Sequence, residues 1–154
     1  MTAARMSLRD GAAWVLRLGL GGLLAVAGLL KLRDPSGFAV EIANYQLLPA
    51  LAAYPAAILP ATELVLGLSL IVAPTPWRRA ATAGVAILFL LFTIAVGSAH
   101  ARGINIACGC FGGGGDAIGP LTLVRNLALL LGIAALWMWD APRRQPPSAA
   151  TQRS

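Results

Sequence analysis

The chain is short of charge, of sulfur and of histidine, and each shortage excludes something. Only 12% of its 154 residues are Asp, Glu, Lys or Arg, against about 25% in soluble globular chains. With 58% apolar residues beside so little charge, the class is membrane rather than soluble. There are two cysteines, one residue apart, so neither has any other cysteine partner within the chain. There is one histidine, which leaves a soft-metal site poor in ligands. Acidic residues number 6 against 12 basic ones, a net charge of +6 that by itself suggests a nucleic-acid partner. The basic residues, however, sit in short clusters beside apolar runs instead of covering a polar face, and they read as topology signals.

What the sequence does have is four apolar runs, at about 12–30, 50–73, 80–98 and 118–139. Crossing about 30 Å of hydrocarbon takes roughly 20 residues of helix, and lipid leaves an isolated span no other way to satisfy its backbone. The expected fold is an all-α membrane protein: a four-transmembrane-helix bundle over residues 1–141, followed by a disordered cytoplasmic tail, 142–154, rich in Pro, Gln, Ser and Arg. Arg5, Arg9, Arg17, Arg78, Arg79, Arg143, Arg144 and Arg153 fall on one side, and Lys31, Arg33, Arg102 and Arg125 on the other. Positive charge collects on the cytoplasmic side, so both termini are expected in the cytoplasm and the chain in the inner (plasma) membrane.

Ala25-Val26-Ala27 also resembles a signal-peptide cleavage site. Against cleavage, Arg17 interrupts the apolar stretch before it and Gly28-Leu29-Leu30 carries that stretch on. As a span residue, Arg17 is expected to snorkel to the cytoplasmic surface. Gly19, Gly21, Gly22, Ala25 and Gly28 suit close approach of helix backbones.

After the first span, Asp34 and Pro35 have the order of a helix N-cap and first helical residue. Phe38, Ile42 and Tyr45 recur at helical spacing with Glu41, Asn44 and Gln46 on other faces, which predicts a short helix ended by Pro49, either an interfacial helix on the outer membrane surface or an ordinary connecting helix packed over the loops. Pro55 and Pro60 predict a kinked second span. Pro74 to Arg79 reads as a tight cytoplasmic turn with Trp77 at headgroup level.

Glu63 is the one acidic residue deep inside a span. An ionisable group there is costly, so it is expected to face the bundle interior, either as a functional group or in a structural pair with Lys31 or Arg125.

Cys108-Gly109-Cys110 lies between the third and fourth spans, on the side assigned as extracytoplasmic, followed by Phe111 and four glycines. Thiols in an oxidising compartment tend towards disulfides. A ring closed between such near neighbours is strained and readily reduced, and as a staple it restricts the unfolded chain little. Redox exchange is therefore the leading chemistry. A soft-metal site with His100 and an inert glycine-rich turn are the alternatives.

The chain resembles the MauE (methylamine utilisation) group within the DoxX-like, redox-associated membrane proteins. The resemblance is carried by Ala27 to Pro35, Tyr45-Gln46-Leu47-Leu48-Pro49, Pro60-Ala61-Thr62-Glu63-Leu64, Cys108-Gly109-Cys110-Phe111-Gly112 and Leu123-Val124-Arg125-Asn126. It implies a four-helix membrane protein needed for maturation of the disulfide-rich methylamine dehydrogenase small subunit, beside a periplasmic thioredoxin-like partner.

The expected function is thus a membrane thiol-disulfide component. Cys108 and Cys110 exchange disulfides, Arg102 or Arg125 favours the thiolate, and His100 and Glu63 move protons. The architecture admits coupling to a membrane quinone, although the sequence carries no quinone signature. The competing readings are a non-enzymatic assembly factor and a small transporter or metal-handling protein.

Overall fold

A computed structural model describes residues 8–47, 49–104, 106 and 118–140; Cys108, Cys110 and the C-terminal segment 141–154 lie outside the described residues. Among the described residues five α-helices follow one another: α1 (Leu8–Arg33), α2 (Pro35–Asn44), α3 (Ala53–Val72), α4 (Thr75–Ala101) and α5 (Pro120–Trp139), with a 3-10 turn at Pro49–Leu51 leading into α3. All but α2 are long and apolar enough to cross a membrane. Their outward faces carry Leu18 and Val26 on α1, Ile58 and Val65 on α3, Ile87 and Leu91 on α4, and Leu127 and Leu131 on α5. Such a belt suits hydrocarbon and not water. The protein is a multi-pass membrane protein.

The tightest contact is between α1 and α3. A methyl group added at Gly21 would come within 2.6 Å of the Gly67 carbonyl oxygen, and one at Gly67 within 2.6 Å of the Gly21 oxygen. Seven residues on, a methyl at Gly28 would meet the Pro60 oxygen at 2.6 Å. Bare backbones touching at these points let two helices approach without a side chain between them. Gly19 and Gly22 have no such neighbour, so of the expected small-residue stripe Gly21, Ala25 and Gly28 serve the contact; Gly67 supplies the other side, where an added methyl would also come within 2.9 Å of the Ala25 amide nitrogen. Leu20, Leu24, Leu70, Val85, Ile133 and Leu136 fill the core among the four long helices.

Several local expectations are revised. Only Ala73 and Pro74 separate α3 from α4, so Arg78 and Arg79 belong to the start of a helix and not to a turn. Pro55 falls in the first turn of α3, where no hydrogen bond is lost, whereas Pro60 is interior and removes one. The helix α2 stops at Asn44, before Pro49, because Gln46 adopts a φ of 52°. That left-handed turn is held from outside: Arg102 donates to the carbonyls of Tyr45 at 2.5 Å and Gln46 at 3.3 Å. Arg17 is buried and bonded to Asp140 at 2.5 Å, and Asp140 also accepts from Arg78 Nε at 3.2 Å, so α1, α4 and the end of α5 are tied together at one end of the bundle.

Candidate functional site

At the other end, where α2 lies, the chain exit from α1 sets up the site. Asp34 caps α2 by accepting from the Gly37 amide at 2.9 Å, and Pro35 occupies the first turn. The short helix thereby folds back over the bundle and buries Phe38 and Tyr45. Tyr45 meets Phe92 of α4 edge to face, with ring centroids 6.5 Å apart.

Between these elements is a cavity of about 840 Å³, walled by parts of all five helices. Its surface is almost wholly apolar. The polar exceptions include Lys31, Glu41, Glu63, Arg125 and Asn126. Lys31 Nζ lies 2.5 Å from Glu63 Oε1 and 4.8 Å from the centre of the Phe38 ring. Glu63 thus faces the bundle interior in an ion pair with Lys31, the first of the two partners its depth suggested. Its Oε2 has no hydrogen-bond partner among the described residues, and neither has Nδ2 of Asn126, a side chain only 1% exposed.

The structure brings together some of the expected site residues and separates others. Glu63 and Arg125 line the same cavity, Arg125 from an exposed position on α5. His100 is exposed in the last turn of α4 and is not part of the cavity wall. Arg102, expected to bias a thiolate, holds the end of α2 through the Tyr45 carbonyl, and the cysteines that it was expected to act on lie outside the described residues. Cys108 and Cys110 lie outside the described residues, but the two ends of their loop do not. The Ile118 amide donates to the Ile106 carbonyl at 2.9 Å. Both residues pack with Tyr45, Val96 and Ala99. Tyr45 is therefore shared between the cavity wall and the platform from which the cysteine loop leaves.

Asn126 was not singled out as a site residue from the sequence. The available signal was an uncharged amide inside an apolar run, which must turn inwards to find a partner. The aromatic lining was equally hidden, because Phe38, Tyr45, Phe89 and Phe92 converge only through tertiary packing.

A model of the family described as methylamine utilisation protein MauE matches residues 9–140, from the start of α1 to Asp140. The chain belongs to the MauE family. The methylamine utilization protein MauE of Paracoccus denitrificans is 37% identical over 119 residues, which cover 75% of this chain and 63% of that protein. Its namesake from Methylophilus methylotrophus is 41% identical over 91 residues, covering 57% and 46% respectively. The chain therefore spans less than two thirds of the length of these curated MauE relatives. No solved structure matches it. The MauE match takes in all four long helices, the capping segment, the cavity and the cysteine loop.

Proposed function

We propose that this MauE-family chain is a membrane thiol-disulfide component that serves maturation of an extracytoplasmic, disulfide-bearing protein together with a thioredoxin-like partner. The observation that carries the reading is the placement of both cysteines of the chain in one short loop whose ends, Ile106 and Ile118, are bonded to each other. In this reading the loop, anchored at its ends and with a glycine between its thiols, offers both sulfurs to a protein partner. The family name supports methylamine utilisation as the setting, with the methylamine dehydrogenase small subunit as the client.

The distribution of Lys and Arg supports cytoplasmic termini, an extracytoplasmic cysteine loop and an inner-membrane location. In the exchange, a thiolate attacks one sulfur of a disulfide and forms a mixed disulfide. The neighbouring thiolate then attacks that bond, forms the Cys108–Cys110 disulfide and releases the partner with both its sulfurs reduced. Run backwards, the same steps oxidise the partner.

The test is the Cys108→Ser/Cys110→Ser variant, expressed at the wild-type level in the membrane and assayed for disulfide formation in the client. Loss of client maturation is expected. Normal maturation would instead support the non-enzymatic assembly factor, which needs the fold and not the thiols. The transporter reading is less well supported, because Glu63 is neutralised by Lys31 and its surroundings are apolar.

A further inference from the structure

The cavity has three properties that together specify an occupant. First, it opens to lipid. Leu47, Leu51, Tyr54 and Leu91 all line it and are all exposed, and Leu91 lies on the outward face of α4. A ligand therefore enters from the bilayer and carries a tail that can remain there. Second, the wall holds Phe38, Phe89, Phe92, Tyr45 and Tyr54, which is both tyrosines of the chain and three of its four phenylalanines. Aromatic walls favour a flat ring through stacked and edge-to-face contact, which a saturated chain cannot reproduce. Third, the buried polar atoms of the wall without a hydrogen-bond partner among the described residues include a donor, Nδ2 of Asn126, and an acceptor, Oε2 of Glu63. The volume, about 840 Å³, lies within the roughly 300–1,000 Å³ of small-molecule sites.

A ring carbonyl would accept from Asn126 Nδ2, and the hydroxyl formed when that ring is reduced would donate to Glu63 Oε2. A donor and an acceptor of this kind suit both redox states of a single ring. We propose that this cavity binds a membrane quinone, its ring among Phe38, Tyr45 and Phe92, its polar edge at Asn126 and Glu63, and its tail leaving past Leu91 into the bilayer. Tyr45 joins this site to the platform of the cysteine loop. The electron step rests on the thiol-disulfide reading: two S–H bonds break at Cys108 and Cys110, one S–S bond forms, and two electrons and two protons convert the two ring carbonyls to hydroxyls.

The experiment uses the full chain in phosphatidylcholine nanodiscs, titrated with decylubiquinone, with decanol as a competitor of equal chain length. Saturable binding of one quinone per chain, resistant to decanol, is expected. Asn126→Leu is expected to weaken it at least tenfold. So is Leu91→Trp, which fills the mouth from the lipid side and leaves the core untouched. The Cys108→Ser/Cys110→Ser variant should bind quinone as the wild type does. Uptake equal to that of empty nanodiscs, displacement by decanol, or wild-type binding by both cavity variants would overturn the proposal. Normal binding without quinone reduction by the dithiol form would count against the redox reading alone. A trapped mixed disulfide without saturable quinone binding would count against the cavity alone.

Discussion

Lys31 and Glu63 meet at 2.5 Å between α1 and α3, with side chains 6% and 14% exposed, so neither charge can be removed singly without stranding the other. Truncating one partner of a buried pair costs about 3–5 kcal/mol, whereas replacing both with apolar groups is often near neutral. Lys31→Met and Glu63→Leu should each lower thermal stability in detergent more than the double variant does. Client maturation that stays normal in the double variant would make the pair purely structural. Asp140 follows the same rule, since it serves both Arg17 and Arg78; Asp140→Ala should destabilise by about 3 kcal/mol in a detergent unfolding assay. The glycines separate by neighbour: Gly67→Ala should cost about 1–3 kcal/mol through overpacking, while Gly22→Ala, with open space around it, should be neutral or slightly stabilising. Glu63 was legible in the sequence because an acid in an apolar run must pair inside. Gly21 and Gly22 could not be told apart there, because only the rotation of α1 against α3 decides which one faces the partner.

The short helix α2 is the element on which the site depends, and its two ends were not equally readable. Asp34 and Pro35 announce the start in the sequence, and the structure has the cap as expected. The finish depends on Arg102, which lies 57 positions after Tyr45 and donates to its carbonyl at 2.5 Å. No local pattern could signal that contact. Hydrogen bonds from the Gly37 amide and then the Ser36 hydroxyl hold the exposed Asp34 carboxyl below its usual range. A lowered value means that the cap's contribution is present above the ordinary carboxylate pKa and is lost only as pH falls through the lowered one. Amide exchange at Gly37 should therefore stay protected into the ordinary carboxylate range and speed up only below it. Asp34→Asn, which also caps, should abolish that pH dependence.

At the scale of the whole molecule the bundle has two unlike ends. One is closed by the Arg17–Asp140–Arg78 cluster, and the other is opened by α2 into an aromatic cavity beside the anchored ends of the cysteine loop. The four crossings were legible from hydropathy because lipid imposes length and helicity on any span. The cavity was not, because a pocket is a gap among elements and leaves no contiguous trace in the chain. What unites the account is exchange at Cys108 and Cys110, and trapping tests it most directly. Cells carrying Cys108→Ser or Cys110→Ser alone are quenched with acid, alkylated and resolved without reductant. One of the two variants should run as a mixed disulfide with a thioredoxin-like protein, and the adduct should collapse on reduction. If neither variant holds a partner while the double variant matures its client as the wild type does, thiol-disulfide exchange is not what this protein does.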